Sequence, residues 1–399
     1  MLNKSPLLYI DYFFVIIFIA IFSLSPISTF INSITLYIAI PFLFLYSFVK
    51  KPNLLIKSKQ LSIFLLLLIW SMITIVKSIS LLDSIKEIYL ILSSFVFSFI
   101  IVYFSKRNIF YIKLFYFLFI LYFISLGYKA YITGISEIDT SKEQFNTEEI
   151  NANLLGYFGY FSVVSGFFLW QLPFSSSFSL NKNKVFAGFV FLLCIFLVVI
   201  SGFFSASRGG ILMPLLTCAL FLSIKILYPL KFKSIVFLSA LIFLVIVVFF
   251  SFESLYQESF LFRRLNSTNI EDESRFGLLV EAFNVGLLNP IFGVGPANFF
   301  LYTPTRHYSH STYFEIFANN GLVGLIIFVT ILFNFAVSCY NLFCINDINI
   351  KRISLFFFVF ILSYSLYNFL YVFHVSLYLI GFFFLVQSHL DYFKKSFLK

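Results

Sequence analysis

Arginine and histidine are scarce in this chain, and their placement is uneven. Of seven arginines and four histidines, Arg263, Arg264, Arg275 and Arg306, with the pair His307 and His310, fall between residues 251 and 320. That stretch is a polar and aromatic island in nearly continuous apolar sequence. A guanidinium offers a planar fork of N–H donors that grips phosphate oxygens two at a time and keeps its charge when partly desolvated. An imidazole titrates near neutral pH and accepts a proton from a hydroxyl. Together they suit chemistry on a phosphorylated or pyrophosphorylated ligand. The plainer alternative for Arg263 and Arg264 is surface pairing with Glu271, Glu273 or lipid headgroups.

Three short stretches must position these groups. In Ser205-Ala206-Ser207-Arg208-Gly209-Gly210, small residues let backbone and Arg208 approach a ligand closely. An arginine where a membrane helix starts costs several kcal/mol unless paired or wet, so Arg208 is either functional or a snorkelling residue beside a Gly-Gly packing notch. In the second stretch, Ser274 or Asp272 caps an expected amphipathic helix over residues 276–288, with Phe276, Leu279, Val280 and Phe283 in lipid or protein. Arg275 lies in its first turn, where a cation gains nothing from the helix dipole and needs Glu271 or a ligand as partner. The turn Asn289-Pro290-Ile291-Phe292-Gly293-Val294-Gly295 follows. In the third, Thr312-x-x-Glu315 predicts a capping box that sets His310 just ahead of a helix, with His307 its local rival as base. His374 and His389 are expected to be structural.

The rest of the chain is membrane protein. Hydrophobic residues make up 61% and charged ones 11%, against roughly 25% charged in a soluble domain, which excludes an ordinary soluble fold. Apolar runs near the ~20 residues that cross a bilayer predict about twelve spans. Their cores are 8–24, 34–49, 61–76, 88–104, 109–126, 154–172, 185–204, 211–226, 234–250, 322–339, 353–371 and 375–387. The runs lack strand alternation, so the expected fold is an all-α integral membrane protein, one polytopic domain over residues 1–399. The first run lacks a cleavage site and is expected to be retained as a span. With the N-terminus inside, 18 of 27 basic residues and only 3 of 17 acidic ones fall on the cytoplasmic side. The net charge of +10 is therefore topology and no sign of nucleic acid. Both termini are inside, and residues 128–153 (acidic) and 251–320 (large, with short amphipathic helices) form outer loops. Arg208, Arg263, Arg264, Arg275 and Arg306 then face outward, against the gradient. The four cysteines lack ligand spacing and are expected to pack.

Ser207-Arg208-Gly209-Gly210, Ser274-Arg275 with Asn289-Pro290 and Gly293-Val294-Gly295, and His310-Ser311 through Asn320-Gly321-Leu322-Val323-Gly324 together resemble the O-antigen ligase and O-antigen polymerase superfamily. Asn151-Ala152-Asn153 looks like that family's asparagine motif. The resemblance implies a GT-C-like, inverting membrane glycosyltransferase without cofactor or metal. It would work at the periplasmic face of the bacterial inner membrane on glycans linked to undecaprenyl pyrophosphate. Carried over, Arg208 and Arg275 hold the pyrophosphate and His310 accepts the acceptor's proton. Asn153, Ser207, Arg263, Arg264, Arg306 and His307 are further substrate-binding candidates. Acceptor glycan or lipid A-core, membrane lipids and a chain-length regulator are the implied partners. Asn319-Asn320 departs from the acidic residue many relatives carry before the Gly-Leu pair.

Ten residues separate Arg275 from Gly286, which looks like a polymerase spacing, whereas 128–153 holds no arginine to match it. Surface-polysaccharide polymerase is the leading assignment, and ligase to lipid A-core the alternative. A lipid-linked oligosaccharide flippase shares the span count and substrate, but charges within spans are few, chiefly Asp11 and Lys113.

Overall fold

The structure is a computed structural model and describes residues 6–134, 152–171, 180–205, 208–228, 274–304, 307–370 and 377–397. Among these residues it is helical, with no strand. That follows from the composition: a chain surrounded by hydrocarbon must satisfy its backbone N–H and C=O groups internally. Hydroxyls obey the same constraint, Ser94, Ser98, Thr217 and Thr330 each donating to the carbonyl four residues back.

The chain divides into two compact units, residues 1–43 with 109–267 and residues 44–108 with 268–399. In the first, α1 (Pro6–Leu24) packs on α7 (Ile109–Gly134), and α8 (Ala152–Gln171) packs on α7, α9 (Leu180–Ser205) and α10 (Arg208–Leu227). Between α2 (Thr29–Ile34) and α3 (Ile40–Lys50) a π-helical turn, Thr35–Ala39, widens the ladder so that the Ile40 N–H reaches the Thr35 carbonyl. Pro41, which has no N–H to give, follows directly. In the second unit α4 (Leu54–Lys57) leads into α5 (Lys59–Thr74), which packs on α6 (Leu81–Ser105) and on α12 (Thr312–Phe343). There α11 (Ser274–Leu288) and α13 (Ile348–Leu370) also pack on α12, and α14 (Leu377–Phe397) lies against α6.

Among the described residues six helices are long and apolar enough to cross a membrane: Thr29–Lys50, Lys59–Lys77, Leu81–Ser105, Ile109–Ile132, Thr312–Phe343 and Ile348–Phe369. Ile10–Leu24, Val185–Ser201 and Leu212–Ile226 are shorter apolar helices at expected spans, while the span expected at 234–250 lies outside the described residues. Both expected outer loops are shorter than the apolar runs suggested, because α7 continues to Gly134 and α12 starts at Thr312. Cys194, Cys218 and Cys339 are buried, Cys344 is exposed, and none is in a disulfide.

Candidate active site

The described part of the site belongs to the second unit and is organised by a break in α12. At Gly321 the backbone turns to φ 67°, ψ −172°, so the helix is two segments joined at a kink. A Cβ at Gly321 would meet the Ile291 carbonyl, so only glycine fits. A kink strips neighbouring carbonyls of their partners four residues on, and here each finds a donor from elsewhere. Ala318 O accepts from the Val294 N–H (2.9 Å), Asn319 O from the Gly295 N–H (2.9 Å), and Asn320 O from the Trp70 indole (2.8 Å). In return the Leu322 N–H donates to Pro290 O (2.7 Å). Gly293, at φ 69°, leaves room for this approach, since a Cβ there would meet the Asn319 backbone. Gly293-Val294-Gly295 and Asn319-Asn320-Gly321-Leu322, two motifs in sequence, are thus one junction in space.

Side chains extend the junction. Asn319 Oδ1 accepts from the N–H groups of Asn298 (3.1 Å) and Phe299 (2.8 Å), and its Nδ2 donates to Glu315 (3.2 Å). Asn298 in turn accepts from the Ser80 N–H and donates to Ser84 on α6. Asn320 donates to Ser71 and Thr74 on α5. These amides donate where a carboxylate cannot, which gives the Asn319-Asn320 departure a physical reason.

Glu315 is buried, and its second oxygen accepts from the Ser309 N–H at 2.7 Å. The expected capping box takes a different form: Ser311 is the N-cap without a side-chain capping bond, Thr312 is already helical, and the carboxylate reaches past both. Ser309 Oγ donates to Ser311 O and accepts from the Ser311 N–H, closing the turn. Between these two serines sits His310 at φ 58°, a left-handed conformation rare for a residue with a side chain. Its half-buried ring lies 4.5 Å from that of Tyr308, while His307 is exposed.

Behind this turn is a cavity of about 20 Å³, lined among others by Glu87, Glu315, Ser71, Thr312, Asn319 and Asn320, room for about one water molecule. Sequence reasoning missed Glu87. Hydropathy starts the core of its span at residue 88, whereas α6 starts at Leu81 and carries Glu87 inward. An acidic residue beside a membrane span was the available signal.

The structure places the other candidates less completely. Arg275 is the second residue of α11, Arg208 opens α10 in the first unit, and Asn153 is in the first turn of α8; their side chains lie outside the described residues, as do Ser207, Arg263, Arg264 and Arg306 entirely. The stripe of α11 that packs on protein is Leu278, Ala282 and Val285, whereas Phe276, Val280 and Phe283 stay exposed. Phe283 meets the rings of Phe314 and Phe317, and Gly286 lies against Phe317. The two helices therefore run in the same sense. Their N-terminal ends, one bearing Arg275 and the other preceded by His310, are on one side.

Residues 189–329 match the family model described as O-antigen ligase. The match supports the O-antigen ligase and polymerase superfamily for this chain. It covers roughly a third of the sequence and takes in Arg208, Arg275, His310 and the two motifs that meet at Gly321, though not Trp70, Ser71 and Thr74 of α5. No curated protein matches the chain. Glu315 lies within the matched residues, whereas its cavity partner Glu87 falls outside them.

Proposed function

We propose that this chain is a surface-polysaccharide polymerase: an inverting, GT-C-like glycosyltransferase of about twelve spans that joins glycan units carried on undecaprenyl pyrophosphate. It works at the periplasmic face of the inner membrane with both termini in the cytoplasm. The acceptor hydroxyl attacks the anomeric carbon of the donor as the bond to pyrophosphate breaks, and His310 takes the hydroxyl proton. Arg208 and Arg275 stabilise the charge that develops on the departing pyrophosphate, a task guanidinium groups perform in a dry cleft without a metal.

The observation that carries this reading is the His310 turn, held by the buried Glu315 on the same side as the N-terminus of the helix bearing Arg275. Two parallel helix starts favour an anion there. Ligation to lipid A-core is the second reading, favoured by the description of the matching family. The test uses purified protein in detergent with EDTA, given the lipid-linked repeat unit alone and then with lipid A-core. A ladder from donor alone is expected. Product only with lipid A-core would make the enzyme a ligase, and no transfer in either would return the flippase.

A further inference from the structure

The far end of the second unit holds a larger and differently charged space. A cavity of about 850 Å³ is lined by Lys50, Lys51, Lys57, Lys106, Lys394 and Lys395, against a single carboxylate, Asp391. It opens where α6 ends, some 27 Å along that helix from Glu87 at 1.5 Å per residue, so it is separate from the His310 turn. Its volume is that of a ligand pocket, roughly 300–1,000 Å³.

Positive-inside topology accounts for lysines at a helix end, but not for what lies beneath them. Ser105 and Ser388, both buried and both lining the cavity, have hydroxyl oxygens without a hydrogen-bond partner. Ser94 and Ser98, on the same helix as Ser105, bond back to their own helix. A buried hydroxyl left open at a cavity wall is a donor that waits for an acceptor. Charge points the same way. Burial pushes the Lys106 amine down, and the like charges of Lys395 and Lys51 add to this against the pull of Asp391. Asp391 is itself engaged by Gln387 at 2.9 Å.

We propose that this cavity binds a phosphate group, held by the lysine ammoniums and by the hydroxyls of Ser105 and Ser388. Two sources share that chemistry, the headgroup of an anionic phospholipid and free phosphate. The surroundings favour the lipid: Val49 and Ile56, 76% and 83% exposed, adjoin Lys50 and Lys57 in the chain and offer apolar surface for an acyl chain.

The experiment measures the thermal midpoint of the full chain in neutral detergent at constant ionic strength. Phosphatidylglycerol, phosphatidylcholine and inorganic phosphate are added separately. Phosphatidylglycerol is expected to raise the midpoint and phosphatidylcholine to leave it unchanged. The variant Lys57→Gln, Lys394→Gln, Lys395→Gln is expected to lose most of the rise. An equal rise with inorganic phosphate would support the phosphate site and assign it to a soluble anion. Equal effects of all three additives, or a full rise in the triple variant, would overturn the proposal. Should the variant fail to fold, native mass spectrometry of the unmodified chain decides: preferential retention of phosphatidylglycerol supports the site, and equal retention of phosphatidylcholine removes it.

Discussion

His310 combines two demands that a single substitution separates. As the proposed base it needs its imidazole, but at φ 58° its backbone is disfavoured, by about 1–2 kcal/mol for a residue with a Cβ. His310→Ala is expected to lower transfer by ~10²-fold or more at unchanged backbone strain. His310→Gly should lose as much activity yet raise unfolding stability over the alanine variant by about 1 kcal/mol; denaturant titration of both variants checks the pair. A defect in His307→Ala with normal His310→Ala would move the base to His307. The two glutamates of the small cavity should also behave oppositely. Glu315 accepts two N–H bonds, so Glu315→Gln puts an amide N–H against one donor and should reduce both stability and turnover. Glu87 is a second carboxyl lining the same buried cavity, where an uncharged amide of the same shape is cheaper to bury, and Glu87→Gln should leave the melting midpoint equal or higher. Little of this was legible in the sequence. His310 stood out by its scarce company, but its backbone angle and the Glu315 tie depend on the fold of the turn, and Glu87 was hidden by a span boundary drawn from hydropathy.

At the scale of elements, α12 stands as a broken helix whose exposed carbonyls are met by α5 and by the turn after α11. Trp70→Phe keeps the ring that stacks on Phe292 at 5.3 Å but deletes the donor to Asn320 O. The expected loss is ~1–3 kcal/mol for a buried acceptor left open, read by thermal unfolding in detergent. Gly321→Ala adds both positive-φ strain and a clash with Ile291, and should destabilise more than Trp70→Phe in the same assay. The apolar period predicted the helix at 276–288 to within two residues of Ser274–Leu288, because that helix is local. Its protein-facing stripe was not predicted, since which side of an amphipathic helix meets protein or lipid is set by a partner distant in sequence. The pairing of Gly293-Val294-Gly295 with Asn319-Asn320 escaped for the same reason: each motif is a turn signal alone, and only chain closure joins them.

For the whole molecule, the basic residues predict which ends share a side. A cysteine replacing His307 should react with an impermeant maleimide added outside intact cells, and one replacing Lys395 only after permeabilisation. Equal labelling of both would refute the topology on which the periplasmic site depends. Arg208→Ala and Arg275→Ala should each abolish transfer with normal membrane insertion, and the lysine replacements should also lose much of it because the fork is gone. Retained activity in both alanine variants would remove the pyrophosphate assignment.

The junction at Gly321 is joined chiefly by main-chain atoms, and main-chain atoms are the same in every residue. Leu322 and Ile291, 49% and 57% exposed, contribute backbone groups or backbone contact there. In a saturation library most apolar residues at these two positions should therefore survive selection for function, while Gly293 and Gly321 should accept none. A lineage carrying such a joint can rewrite most of its membrane-facing letters and keep the same fold around the reaction.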